Sequence, residues 1–323
     1  MSISLEEGAG IVIHKWLQVK PAERVTIIFD ELHVAEAMAL RDQVALAHGI
    51  PMTIQVPSEG AQSGGIFETY VRSLEDTDVI IGATDSSIMT TRTISDAVTA
   101  GARFLSLPLS TNDGISLLKH DFLKMDPAEV ENDGARIYQT FLGASTVQVR
   151  THLGTDLAFS VKGRLGNVFS GRSNGLSTAT SASFEFSIAV EEDRTEGVLI
   201  LDGSMGYLGL VAEPVRMILE KGRIVDIEKN DSGRKLAAYF SEFRDEEMYV
   251  VGELGIGLNR ISQCAGRSYI EDESAYGTFH IGVGRNISLG GKHYANGHFD
   301  LVSYAPTIEV DNNLIMKDGE LSL

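Results

Sequence analysis

Near residue 143 the hydrophobic pattern of this chain changes period, and few folds can accommodate both halves. Before that point, short β-branched runs such as "RVTIIFD" (24–30), "MTIQV", "DVIIGA" and "RFLSLPL" alternate with helical stretches such as "AEAMALRDQVALAHG". The order reads β-α-β-α-β, which requires parallel strands covered by helices on both faces. A further helical stretch, "LKMDPAEVENDGARIYQTFLGAS", leads out of this sheet, with Pro127 at a helix start and Gly143 near a helix end. From "TVQVRTHLGTDLAFSVKGRLG" onward the period becomes two. The segments "GVLILDGSMGYLG", "VRMILEKGRIVDIEKN" and "YAPTIEVDNNLIMKDGEL" offer strands joined by Gly, Asn or Asp turns, and only "SGRKLAAYFSEFRDEE" reads as helix. The expected fold is α/β: a doubly wound, Rossmann-like parallel-sheet domain over 1–143, then a mainly antiparallel, barrel-like β-rich metal-binding catalytic domain over 144–323. A length of 323 residues suits two domains.

The first strand runs into "DELHVAEA", which lacks the G-x-G-x-x-G that lets a pyrophosphate approach a helix N-terminus, and this argues against nucleotide binding. Forty-five acidic against 27 basic residues leave a formal charge of −18, which repels phosphate backbones and anionic lipid. A single cysteine, Cys264, excludes an internal disulfide framework. The opening "MSISLEEGAGIVIHKW" carries Glu6 and Glu7 where a secretory signal needs positive charge. No apolar run approaches the roughly 20 residues that cross a bilayer. These features predict a cytoplasmic protein that binds neither nucleic acid nor membrane.

Near the C-terminus, "GKHYANGHFDLVSY" places His298 and Asp300 two residues apart, so on a strand both share one side while Phe299 faces the other. Three more ionisable residues stand inside apolar strands: Glu185 in "SFEFSIAV", Glu253 in "YVVGELGIG" and His280 in "GTFHIGVG". Burying a lone carboxylate costs several kcal/mol, so something must compensate each of them. Together they form a set of oxygen and nitrogen donors suited to divalent metals. Three carboxylates against two divalent ions leave one positive charge, which a bound hydroxide cancels, the arrangement of two-metal hydrolysis. Glu185 or Glu253 is then placed to shuttle the proton. A second grouping, His280 with His298 and Asp300, suits mononuclear non-haem iron, and residue types alone do not separate the two. Glycines in "GELGIG", "GVGRN" and "LGGKH" allow close approach around these residues, and Arg285 and Lys292 are the candidate cations for a substrate carboxylate.

At these residues the chain resembles the M29 metallo-aminopeptidases, the aminopeptidase T and S group, through "GTDLAFSVKGR", "EGVLILDGS", "ELGIGLN", "GTFHIGVG" and the terminal "HFD". The resemblance implies two divalent ions (zinc, cobalt, manganese or magnesium) held by Glu185, Glu253, His280, His298 and Asp300, in a homodimer that cleaves an N-terminal peptide or small amide bond. Two departures stand out: "SFEF" replaces the usual G-E-V, and Ile287 stands where that family carries a tyrosine. Tyr276, Tyr294 and Tyr304 are the nearby replacements. The compact ending "GGKHYANGHFDL" and the 18-residue interval from His280 to His298 are more similar to a second branch, the 2,5-dihydroxypyridine 5,6-dioxygenases. That resemblance implies mononuclear iron(II) acting on a hydroxylated pyridine-like ring. In that branch the H-x-D pair is kept, a histidine takes the Glu253 position, and the Glu185 and His280 positions are apolar. With all five ligands present, the sequence favours the two-metal hydrolase, with the iron dioxygenase as the alternative.

Overall fold

The computed structural model describes residues 2–58, 63–173 and 178–323. It divides into two compact units, Met1–Pro127 with Phe169–Ser183, and Ala128–Val168 with Phe184–Leu323. The change of period near residue 143 falls within the second unit, between the helix Pro127–Phe141 and the strand Thr146–Arg150. In chain order the strands are β1 Arg24–Asp30, β2 Ile50–Val56, β3 Val79–Ala83, β4 Arg103–Ser106, β5 Thr146–Arg150, β6 Asp156–Ser160, β7 Gly166–Phe169, β8 Ala179–Ser181 and β9 Glu185–Ala189. They continue as β10 Glu196–Leu201, β11 Val215–Glu220, β12 Arg223–Ile227, β13 Val251–Gly257, β14 Thr278–Gly284, β15 His298–Tyr304, β16 Thr307–Val310, β17 Asn313–Lys317 and β18 Glu320–Leu321.

The first unit holds a five-stranded parallel sheet in the order β2-β1-β3-β4-β8. Its central strands read as unbroken apolar runs because both of their faces are covered, and β3 is buried along its whole length. Ile28, Ile80 and Phe104 from three adjacent strands pack with Phe67 and Ile94. At the end of β1 the buried Asp30 carboxylate accepts the backbone N–H of Leu32 at 3.0 Å and of Asp85 at 2.6 Å. Two backbone amides at the end of β1 are thereby taken by a carboxylate. The fifth strand, β8, is only "ATS", too short and small to announce itself by pattern.

The second unit contains two antiparallel sheets, one of eight strands in the order β12-β11-β10-β6-β5-β16-β17-β18, the other of five in the order β15-β14-β13-β9-β7. Both orders are open among the described residues, which corrects the barrel-like expectation: period-two patterning specifies strands but not whether a sheet closes. The turns follow their residues. Lys221-Gly222 and Asp311-Asn312 both have positive φ at each position, at 48° and 76° and at 47° and 66°. Those values define the two-residue turns whose twist matches an antiparallel hairpin. No helix among the described residues is long and apolar enough to cross a membrane.

Candidate metal centre

The five-stranded antiparallel sheet explains how five ionisable residues can sit in apolar strands. Antiparallel register aligns Glu253 with Gly282 and Gly282 with Asp300 in one row, and Ser187, Gly255 and His280 in the next. Glu185, opposite Gly257, and His298, opposite Gly284, lie on the same face. Glycines empty the middle of that face. A Cβ on Gly255 would stand 1.9 Å from His280 Nε2, and one on Gly282 would meet both Glu253 Oε2 and His298 Cε1 at 2.6 Å. The gaps left at Gly255 and Gly282 let the long side chains around them converge.

They converge in two groups that share Glu253. Glu185, Glu253 and His280 offer one donor atom each within 4.8 Å of one another, and so do Glu253, His298 and Asp300. His280 Nε2 lies 3.0 Å from Glu185 Oε2. His298 Nε2 lies 3.0 Å from Glu253 Oε2 and 3.1 Å from Asp300 Oδ1. The alternative trio read from the sequence, His280 with His298 and Asp300, is thus not the set that gathers; Glu253 stands where His280 was expected. The backbone carbonyl of Arg285 accepts from His298 Nδ1 at 2.8 Å, and since a carbonyl can only accept, Nδ1 carries a proton and Nε2 is the nitrogen turned toward the carboxylates, where giving up its own proton would open its lone pair to an ion. One imidazole nitrogen and two carboxylates, with no thiol, make a donor set that fits a divalent ion of the iron, manganese or zinc type.

The charges are strongly coupled. Burial pulls the His280 imidazole down, but the Glu185 charge and hydrogen bond outweigh it and raise it to about 9. Burial acts the same way on His298, and Asp300 and Glu253 overcome it, leaving it well above the ordinary histidine range. Burial alone would raise Asp300, yet the facing His298 holds it below the usual carboxylate value.

Three residues missed by the sequence reading complete the site. The Ser187 hydroxyl donates to Glu253 Oε1. Glu273, buried on the helix Tyr269–Ser274, hydrogen-bonds Asp300, and burial followed by the Glu185 charge pushes its carboxyl well up. Glu192 anchors the loop before β15: it takes Arg164 at 2.7 Å, Asn286 Nδ2 at 3.0 Å and the Lys292 amide at 2.7 Å. Period two puts Ser187, two residues after Glu185, on the same face, but a serine carries no charge to notice. "IEDES" reads as a solvated acidic face, and only packing reveals that all three acids are buried.

Of the other candidates, Arg285 donates from Nε to the Ala295 carbonyl and lies 5.4 Å from the Tyr294 ring, while Lys292 is exposed. The tyrosines go elsewhere. Tyr276 donates to Glu320 at 3.2 Å, Tyr304 donates to the Cys264 carbonyl at 2.8 Å, and Tyr294 and Ile287 are exposed.

Phe299 fixes the strand from behind. It is 1% exposed, with ring centroids 4.9 Å from Tyr239, 5.5 Å from Phe240 and 6.2 Å from Tyr207. Phe299→Ala is expected to lower stability in urea titrations by about 3–5 kcal/mol, the usual cost of emptying a large aromatic site.

The helix carrying Glu273 is held by its two neighbouring acids. Glu271 pairs with Arg267 at 2.5 Å, and Asp272 Oδ1 accepts the amides of Ala265 and Gly266, both at 2.9 Å. Burial raises Asp272 from 3.8 to about 6 despite those bonds. The folded carboxyl therefore keeps its proton between pH 4 and 6 while the unfolded one releases it. The folded state binds more protons in that window, so this group's contribution falls as pH rises through it and is level above. Asp272→Asn keeps an acceptor for both amides and is expected to flatten that slope. Its gain at pH 7.5 over wild type should reach about 2–3 kcal/mol, measured by urea denaturation at pH 4.5 and 7.5.

A parallel-sheet α/β unit and an antiparallel unit bearing a buried carboxylate–imidazole cluster define a metal-dependent enzyme. Residues 17–323 match the pattern of the NicX family, 2,5-dihydroxypyridine 5,6-dioxygenase, and the chain belongs to that family. A curated relative, 2,5-dihydroxypyridine 5,6-dioxygenase of Pseudomonas putida, is 26% identical over 141 residues, which is 40% of each chain. The solved structure of 2,5-dihydroxypyridine dioxygenase from Pseudomonas putida KT2440 shares the fold with a TM-score of 0.83 at 17% identity, covering 99% of this chain and 98% of that one. Wild-type AmpT from Thermus thermophilus superposes with a TM-score of 0.63 at 14% identity, covering 99% of both chains.

These matches correct the reading of the chain as an M29-type two-metal hydrolase with aminopeptidase activity. The family pattern spans nearly the whole chain and names a dioxygenase, and the dioxygenase structure superposes better than AmpT. The motifs behind the hydrolase reading were chiefly donor residues and the glycines around them, and carboxylates and imidazoles serve either chemistry.

Proposed function

We propose that this protein is a metal-dependent dioxygenase that opens a small hydroxylated, nitrogen-containing aromatic ring, a 2,5-dihydroxypyridine or close analogue. The family match over residues 17–323 carries the reading. Glu253, His298 and Asp300 would hold one iron(II), their two negative charges balancing the ion. Bound iron supplies the one-electron steps that let triplet O2 react with a closed-shell ring.

The chain's own residues prepare the site. The Arg285 carbonyl keeps the His298 proton on Nδ1, so Nε2 stays available to the ion. Glu273 holds Asp300 in place. His280, paired with Glu185 at 3.0 Å, would be the group that gives a proton to an oxygen of the substrate. Phe299 and the aromatic rings behind it exclude water from the rear of β15. Arg285 and Lys292 are the cations that would meet an anionic ring oxygen.

The test is oxygen uptake by protein loaded anaerobically with iron(II), using 2,5-dihydroxypyridine and isomeric dihydroxypyridines as substrates. The expected result is one O2 consumed per ring lost, abolished by an iron chelator and restored by iron(II). Protein that retains iron yet consumes no oxygen with any hydroxylated pyridine would sink the reading.

A further inference from the structure

We propose that Ser187 commits Glu253 to a single metal ion, an inference that rests on the reading of Glu253, His298 and Asp300 as the ligand set. Glu253 is the one residue common to both donor groups, and a carboxylate in that position has an oxygen for each side. Its two oxygens are not equivalent. Oε2 faces His298 Nε2 at 3.0 Å, while Oε1 accepts the hydroxyl of Ser187, a fully buried residue on β9 opposite Gly255. The hydroxyl has one hydrogen bond to donate and Glu253 Oε1 accepts it, which occupies a lone pair of that oxygen and fixes the rotation of the carboxylate plane. On the other side, Glu185 and His280 spend Oε2 and Nε2 on each other at 3.0 Å. Ser187 is therefore a positioning residue: it turns Glu253 into a one-oxygen ligand for the His298–Asp300 side and withholds the bridging oxygen that a second ion next to Glu185 and His280 would need. Removing the hydroxyl frees Oε1 to swing onto the ion or toward the second group.

Cobalt(II) serves as the probe, since its visible absorption reports coordination number and its binding is countable by equilibrium dialysis. Wild type, Ser187→Ala, Glu253→Ala and the double variant are compared, with circular dichroism confirming the fold of each. The proposal expects one cobalt per wild-type chain, a Ser187→Ala affinity about 10 to 100-fold weaker with a changed visible spectrum, and no further loss when Ser187→Ala is added to Glu253→Ala. It is overturned by a Ser187→Ala protein that matches wild type in affinity and spectrum. It is equally overturned by an equal loss in both backgrounds, or by two tightly held ions in wild type. Should Glu253→Ala bind cobalt as wild type does, the ligand assignment itself fails, and with it the proposal; that outcome is separable from the others because it does not involve Ser187.

Discussion

Glu253→Gln is expected to give a folded protein that loses iron(II) more than about 100-fold more readily than wild type, a larger effect than the 10 to 100-fold typical of losing an outer hydrogen-bond partner. Oxygen uptake should fall in parallel. Glutamine keeps the volume and the acceptor for the Ser187 hydroxyl, so the packing of β13 against β9 survives, but it removes the anionic oxygen that faces His298 at 3.0 Å. Lys292→Ala is the control. That side chain is exposed and only its backbone amide is tied down, by Glu192, so iron retention should not change. Iron content by elemental analysis after desalting, alongside oxygen uptake, decides the matter. Equal iron in wild type and Glu253→Gln would remove Glu253 from the ligand set.

Gly282→Ala is expected to abolish activity with one methyl group placed outside every ligand. The added Cβ would sit 2.6 Å from Glu253 Oε2 and 2.6 Å from His298 Cε1, inside contact distance of the two groups that must face the ion. Both side chains have to move, and a buried carboxylate parted from its imidazole is costly, about 3–5 kcal/mol where one partner of a buried pair is lost. The expected phenotype is a lower urea midpoint together with metal content near zero, and growth of the effect on adding iron is not expected. Gly282→Ala with wild-type iron content would show that the ion sits away from the Glu253–His298 contact.

The sequence carried a good part of the site because strand geometry is local. Period two alone puts His298 and Asp300 on one side of β15 and Phe299 on the other, and in the structure the two polar groups meet at 3.1 Å while Phe299 packs against Tyr239 and Phe240. The same logic placed Glu185, Glu253 and His280 in strands where a lone charge is expensive, so partners were required before any were seen. Turn chemistry was equally local: Gly222, Asp311 and Asn312 are residue types that accept positive φ, and their turns make the hairpins that the flanking strands suggest. The parallel sheet of the first unit followed from its unbroken apolar runs, except for β8, whose three small residues join the sheet from a stretch more than 70 residues beyond β4.

What a chain of one dimension cannot contain is which partner each charge chooses. Whether His298 faces Glu253 or His280, and whether Glu185 serves a metal or a neighbouring imidazole, depends on the register of β9, β13, β14 and β15, set by pairings as distant in sequence as Glu185 with Gly257. The same holds for Ser187, whose hydroxyl is unremarkable until register brings it to Glu253, and for "IEDES", whose three acids look solvated until packing buries them. Residue type and period are local properties, and they determined which groups bear charge on which face. Electrostatic pairing falls off over a few Å, so only the tertiary structure, by fixing those distances, decided which groups form the ligand set and which hold it in place.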